Sequence, residues 1–446
     1  MDYTPHTDEQ IRQMLEVIGV SSFDELLTAI PSEVRCKSFE LPSGLTEPEV
    51  VQTCETLAQP NVSLREAASF LGFGAYSHVI PTVVDNLSLR GEWLTPYTPY
   101  QAEASQGTLQ MIYEFQTLVC ELLQMDVANA SLYDGASALA EAAVMALRAT
   151  GRQRLLISEA VHPHYREVIA TYLSGSSCTI QQIPQVNGVT DLEALNAALR
   201  DDVAAVLMQQ PNVFGCLEPM APASELTHRV GGLFVANVYP VSLGLIQPPG
   251  AYNADIAVAE ARGLGSPVAY GGPGLGLFAT KQEFLRRIPG RLAGCSVDQS
   301  DRRGFTLTLQ TREQHIRREH ATSNICTNEG WLCLRATIFM SFLGPAGLRR
   351  LAELNLRRAH DVVERLRQVP GVELAFDRPY FNEATLRYTN GKTSDAINRQ
   401  LLKAGIFGGV PLKRWFPSLG DAALWCVTET VTDQQVDRLV DALKKL

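Results

Sequence analysis

The sequence predicts an α/β fold: a large domain on a mainly parallel sheet, a small α+β domain after it and a helical extension before it. Three observations predict this. Four short apolar runs, at 154–158, 203–208, 233–238 and 255–259, read as buried strands. Helical patterns at 136–150, 162–174, 191–200 and 221–230 alternate with them, which puts helices on both faces of a parallel sheet. A second, shorter alternation of strand and helix closes the chain. The divisions expected are 1–65, 66–344 and 345–446.

The first helix follows the capping candidates Thr7 and Asp8, carries Ile11, Met14, Leu15 and Ile18 at helical spacing, and stops at Gly19. Residues 21–65 alternate short helical pieces with turns such as Leu41-Pro42-Ser43-Gly44, an extension wrapped on something larger. In the run 93–107, Pro96 and Pro99 fix φ and bias their predecessors toward extended backbone. Tyr97, Thr98, Tyr100 and Gln101 stand beside them with neutral hydroxyl and amide donors. Such a stiff segment either holds an anionic group at little ordering cost or is a connector whose tyrosines pack. A long helix over 107–124 follows, its apolar face Leu109, Ile112, Phe115, Leu118, Val119, Leu122 and Leu123.

Asp134-Gly135-Ala136-Ser137 opens the next helix after the short apolar Ala130–Leu132. Free N–H groups there either receive an anion or are capped by the chain itself. Beyond the strands lies a helix-rich bridge, with 349–369 its longest element. Then come Val372–Phe376, Glu383–Tyr388, a helix near 393–404, Ala423–Thr428 and a final helix. That helix opens with a capping-box spacing at Thr432 to Gln435, and its apolar face is Val436, Leu439, Val440 and Leu443.

Composition bounds the function. A chain of 446 residues, 46% hydrophobic and 19% charged, is expected to bury extensive cores in two or three domains. A net charge of −10 argues against general nucleic-acid binding. No apolar run approaches the ~18 residues of a membrane span, and residues 1–5 lack a signal peptide's basic start. The expectation is a cytoplasmic protein with no membrane and no nucleic-acid partner. Nine cysteines without a Cys-x-x-Cys pair fit a reduced compartment. His162-Pro-His164 has no second ligand cluster, so a structural role is expected and no metal.

The glycine-rich loops at 263–265 and 271–276 are not phosphate-binding turns between strand and helix, and Pro273 removes an N–H, so tight backbone packing is expected instead of NAD or ATP binding. The large-plus-small arrangement is similar to the aspartate-aminotransferase type of pyridoxal-phosphate enzyme, fold type I. That chemistry needs a lysine for the Schiff base and a carboxylate at the pyridine nitrogen. Lysines occur only at 37, 281, 392, 403, 413, 444 and 445. None lies in 260–270, just beyond the strand where that architecture carries it. Strand 233–238 offers Asn237 and no aspartate, and Arg262 stays protonated and is no nucleophile.

Several motifs sharpen this. They are Phe70-Leu71-Gly72-Phe73-Gly74-Ala75-Tyr76 with His78, Tyr97-Thr98-Pro99-Tyr100-Gln101 through Ser105-Gln106-Gly107, Phe115-Gln116-Thr117, Asn129-Ala130-Ser131-Leu132 and Gln210-Pro211-Asn212. Further along stand Gly271-Gly272-Pro273, Pro289-Gly290-Arg291, the block 307–313 and Ala321-Thr322-Ser323-Asn324-Ile325-Cys326-Thr327. On these residues the chain resembles, nearly end to end, the first (alpha) subunit of the two-subunit glycine cleavage P-protein. His320, where the family more often has lysine, and Ser77, where it often has aspartate, are departures that leave the assignment unchanged.

The resemblance implies a subunit that binds no pyridoxal phosphate itself. The second (beta) subunit carries the Schiff-base lysine and the cofactor. The pair decarboxylates glycine and passes the aminomethyl group to the lipoyl arm of the H-protein, as a two-plus-two heterotetramer. Within that frame Tyr97, Thr98, Tyr100 and Gln101 wall the partner's site. Thr322, Ser323, Asn324 and Thr327 donate to the phosphate or line the lipoyl channel, or else cap the helix that follows. Residues 286–318 hold eight arginines against three acids, a net +5. They form a docking patch for an acidic carrier, a solvated face, or ion pairs with the other subunit. The rival readings are an independent pyridoxal-phosphate enzyme using a displaced lysine such as Lys281, and a non-catalytic scaffold.

Overall fold

The computed structural model describes residues 5–36, 38, 40–64, 66–95 and 97–446. The first four residues, Lys37 and Pro96, used in the leader, lysine and stiffness readings above, lie outside them. The chain divides into two units, Met1–Val62 and Ser63–Leu446. In the first, α1 (Asp8–Ile18) opens on a reciprocal box between Thr7 and Gln10 and ends at Gly19 with φ 88°. A longer helix further on, α2 (Glu47–Ala58), repeats the device with Thr46 and Glu49. No described residue of α1 or α2 is buried.

The second unit is built on a seven-stranded sheet. Its strands are β1 (Val127–Ala128), β2 (Arg154–Ser158), β3 (Thr179–Ile183), β4 (Val203–Gln210), β5 (Leu233–Val238), β6 (Ile256–Glu260) and β7 (Gly276–Thr280), in the order β1-β7-β6-β5-β4-β2-β3. Strands β2 to β6 run parallel and β7 is antiparallel to both its neighbours. The fold is that of the pyridoxal-phosphate enzymes of type I, as the sequence led us to expect. The four predicted strands are found, β4 two residues longer and β6 shifted by one.

The inner strands β2, β4, β5 and β6 alternate between two cores. Leu156, Val206, Met208, Phe234, Ala236, Ala257 and Ala259 face α3 (Gln106–Leu123), α7 (Met220–Arg229) and the first half of α8 (Gly330–Arg367). Leu155, Ile157, Leu207, Val235, Ile256 and Val258 face α4 (Gly135–Thr150) and α5 (Pro163–Leu173). That period of two along nearly all-apolar strands is what a sheet covered on both sides demands. The remaining predicted helix is α6 (Leu192–Ala198).

Helix α8 is one run bent at Gly344, φ 59° and ψ −177°, before Pro345, whose ring cannot continue the ladder. The division expected at 344/345 falls on that bend. One stretch of α8 is long and apolar enough to cross a membrane by length and composition. Yet it carries Arg335 and buries Leu332, Ala336 and Phe339 in the core, as a core helix does.

After the bend, Ala359, Val362, Val363 and Leu366 lie under a four-stranded sheet. It is β10 (Val372–Leu374), β11 (Glu383–Tyr388), β12 (Val410–Pro411) and β13 (Ala422–Cys426), in the order β10-β11-β13-β12, closed by α9 (Ser394–Lys403) and α10 (Asp433–Lys444). Between the two sheets in sequence, β8 (Leu292–Val297) and β9 (Arg303–Thr308) form an antiparallel ribbon. Upstream, Ala68–Ser69 pair in parallel with Ile406–Phe407. The segment that follows carries Tyr76 to the ends of the large sheet's strands, beside Gln209, Asn237 and Glu260.

Candidate functional site

The carboxyl ends of β4, β5 and β6 deliver Gln209, Asn237 and Glu260 to one cleft, where ligands gather in open parallel sheets. Tyr76, His162, Tyr165 and Tyr239 close it, leaving a cavity of about 30 Å³. That is room for about two waters at ~10–15 Å³ each. The side chains interlock. Tyr76 Oη donates to Glu383 Oε2 at 2.7 Å, and the Phe73 N–H donates to Oε1 at 2.7 Å. His78 sits between Glu429, 2.9 Å from Nδ1, and the Tyr239 hydroxyl at Nε2. Burial pushes the Glu383 carboxyl up to about 7, against the two bonds it accepts. Burial likewise pushes Glu429 up, but the His78 contact and the Val79 N–H outweigh it and hold that carboxyl low.

His162 lines the cleft and is tied to the chain at both ring nitrogens. Its Nδ1 accepts from the His164 N–H, so it caps α5, and its Nε2 meets the Phe73 carbonyl at 3.1 Å. Burial and then the neighbouring His164 push it down to about 4, so the ring is neutral. No group of three potential metal ligands occurs among the described residues.

The start of α4 is capped by the chain itself, one of the two readings of Asp134–Ser137. Asp134 and Ser137 form a reciprocal capping box. Its first N–H is also met from within the chain: Gly135 donates to Glu260 Oε2 at 2.9 Å. Glu260 Oε1 accepts from the Arg262 and Leu275 N–H groups at 2.9 and 3.0 Å. Burial pushes this carboxyl up and the three N–H bonds pull it back in part. Sequence reading missed Glu260, although it heads the run 260–270 searched for a lysine.

Lys281 is remote from the cleft. It pairs with Asp255, and Thr280 stands opposite Ile256 at the amino end of β6. Glu260, at the other end, is four residues and ~13 Å away at ~3.3 Å per residue. The glycine loops divide. A Cβ on Gly274 or Gly276 would lie within 3.1 Å of neighbours, the tight packing expected, whereas Gly271 and Gly272 have nothing within 4 Å.

Of the eight side chains expected to reach a partner's site, the structure brings three together around Arg291. Its guanidinium donates to Tyr100 Oη and Thr327 Oγ1, both at 2.8 Å, and reaches Thr98 Oγ1 at 3.4 Å. Arg291 is 3% exposed, stacks over the Tyr100 ring at 5.1 Å, and has Glu313 3.8 Å from Nε. Tyr100 itself is 55% exposed and Tyr97 93%. Gln101 and Asn324 are also exposed.

The rest of 321–327 is anchored elsewhere. The Thr322 carbonyl accepts from Arg148, and Ser323 Oγ accepts from the Ile325 N–H at 3.0 Å. Ser323 also lies against the buried Glu141, which burial pushes up to about 7. None of these residues caps α8, whose N-cap is Glu329. Nor do the eight arginines of 286–318 form one surface. Arg291 and Arg312 are buried, the latter donating to the carbonyls of Ile288 and Gly290 and so fixing the turn before Arg291. Arg302 pairs with Asp298.

Comparison with known proteins gives a consistent result. The family described as glycine cleavage system P-protein matches residues 1–443. A probable glycine dehydrogenase (decarboxylating) subunit 1 of Desulfitobacterium hafniense is 48% identical over 447 residues, covering 100% of both chains. That of Carboxydothermus hydrogenoformans is 46% identical over 444 residues, 99% of each. Among solved structures, an inhibitor-bound glycine decarboxylase (P-protein) of the glycine cleavage system superposes with a TM-score of 0.91 at 43% identity over 100% of both chains. A NifS-like protein, TM-score 0.64 at 13% identity over 85% of this chain and 98% of its own, shares the fold alone.

Proposed function

The chain belongs to the glycine cleavage system P-protein family, and from that premise we propose that it lends side chains to a cofactor site held by a second subunit. It is an enzyme component of a two-subunit glycine dehydrogenase (decarboxylating). In our reading the second subunit carries pyridoxal phosphate and its lysine. The pair decarboxylates glycine and hands the aminomethyl group to the lipoyl arm of the H-protein, in a two-plus-two assembly.

The cofactor's needs and this chain's own cleft do not match. An aldehyde needs an amine, and among the described residues no lysine lines the cleft. A protonated pyridine nitrogen needs a carboxylate, and Asn237 instead donates to Gln209 Oε1 at 3.4 Å. The phosphate needs free N–H groups, and at the start of α4 Glu260 holds that of Gly135 and Asp134 that of Ser137. A cavity of about 30 Å³ would not admit the ring. No step of the reaction is routed through this cleft.

The observation that carries the proposal is the group at Arg291. Because Arg291 donates to Tyr100 Oη, the phenol's own proton is free for another acceptor. A hydroxyl polarised by a charged donor is the stronger donor in turn. Tyr100 therefore supplies an oriented, half-exposed hydroxyl, with Thr98 and Thr327 fixed beside it. Its office would be to bind and orient an anionic group of cofactor or substrate across the subunit boundary.

The test is Tyr100→Phe in the assembled enzyme, assayed by glycine–bicarbonate carbon exchange. Loss of one bond to a charged group, ~1.5–3 kcal/mol, corresponds to a ~10–100-fold slower exchange. Unchanged rate and unchanged cofactor affinity would remove Tyr100 from the site.

A further inference from the structure

We propose that Glu260 is a resident anion, filling at the α4 N-terminus the seat a phosphate would take and so closing this cleft to phosphorylated ligands. Three N–H groups from separate segments converge on its carboxylate: Gly135 at the helix start, Arg262 just past β6, and Leu275 before β7. A phosphate is held by the same kind of donors, backbone N–H groups, of which the one from Gly135 lies at the positive end of a helix and those from Arg262 and Leu275 in loops beside it. The seat is also cut to the side chain. A Cβ on Gly135 would stand 2.8 Å from Glu260 Cβ, and one on Gly274 would stand 3.0 Å from Oε2. Gly135 leaves space for the base of the Glu260 side chain and Gly274 for its carboxylate. The Asp134 carboxylate, spent on the Ser137 N–H at 2.7 Å, adds a second negative charge that disfavours an incoming dianion.

An alternative is that Glu260 only caps the helix and the seat has no affinity of its own for anions. Titration of the full-length chain with inorganic phosphate, against chloride at matched ionic strength, separates the two. In the wild-type chain the thermal midpoint is indifferent to phosphate. E260A loses midpoint in chloride, regains part of it in phosphate, and shows a saturable titration at least ~10-fold tighter than wild type, the scale of one anion at a helix end. E260Q keeps the seat filled without the charge, so its midpoint falls and phosphate does not restore it.

A wild-type chain stabilised by phosphate as much as E260A would overturn the proposal. So would a folded E260A blind to phosphate, or an E260Q with an unchanged midpoint. If E260A does not fold, E260S, whose hydroxyl keeps one acceptor, is read by the same criteria. The titration uses this chain alone, so its outcome is independent of which subunit holds the cofactor. That question is read from the cofactor content of the assembled enzyme.

Discussion

Replacing Arg291 by lysine should cripple the reaction while leaving the assembly intact. Arg291 presents two nitrogens to two oxygens at once, Nη2 to Tyr100 and Nη1 to Thr327, each at 2.8 Å. Lysine offers one nitrogen on a flexible stem and cannot reproduce that fork. It does keep a positive charge beside Glu313, which is 8% exposed and would otherwise be stranded. Lysine is therefore a cleaner probe than methionine, whose effect would mix lost orientation with an uncompensated buried acid.

Each charge-assisted bond is worth ~1.5–3 kcal/mol, and the one that aims Tyr100 sets the catalytic loss, so R291K should slow glycine–bicarbonate exchange ~10–100-fold. If Arg291 acts through the tyrosine, Y100F and R291K share one loss. The double variant should then be no slower than the worse single variant, a coupling about equal to the shared loss of ~1.5–3 kcal/mol. Size-exclusion of the mixed subunits checks that the complex still forms. Strictly additive losses, or a full exchange rate in R291K beside an impaired Y100F, would refute the argument that Arg291 positions the hydroxyl.

Two other outcomes are expected. Incubated with pyridoxal phosphate and borohydride, the isolated full chain should trap no aldimine, and K281A should change nothing in the assembled enzyme, since Lys281 is held by Asp255 at the far edge of the sheet; a trapped adduct that K281A abolishes would restore the displaced-lysine reading. Glu383 has a folded pKa near 7 against an ordinary 4.5, so the folded state binds the proton more tightly and its contribution to stability is present below about 4.5 and lost as pH rises through about 7. Thermal melts from pH 5 to 8 should show wild type losing stability relative to E383Q as pH rises, and parallel pH profiles would exclude that role for Glu383.

How much was legible in the sequence followed from how local the physics is. Apolar runs and caps are local, so the parallel strands, the Thr7 and Thr432 boxes and the Asp134 cap are found where the pattern set them. The missing lysine is also a local fact. The Arg291 group is not: Tyr100, Arg291 and Thr327 are separated by 191 and 36 residues, and only the folded chain brings them together. Pro289-Gly290-Arg291 was quoted among the motifs, but charge counting merged Arg291 with exposed arginines, because a formal charge says nothing of burial. Glu260 escaped for a related reason. A search for an amine passes over a carboxylate, and nothing in Ala259-Glu260-Ala261 signals that three N–H groups will meet it.

These misses bear on the division of labour proposed here. A cleft that lost its lysine would still present N–H donors at the start of α4, and buried donors without partners cost stability. Glu260 removes that cost from within the chain, so the sheet's carboxyl edge needs no ligand to be complete. The hydroxyls of Tyr100 and Thr98 differ in this respect. They are held from behind by Arg291, yet Tyr100 remains 55% exposed. One edge of the fold is thus satisfied by itself, and another is ordered without being used. A chain that needed only to stabilise a neighbour would have no reason to bury a guanidinium for the sake of aiming a surface phenol, and that asymmetry favours donation across a subunit boundary over a scaffold.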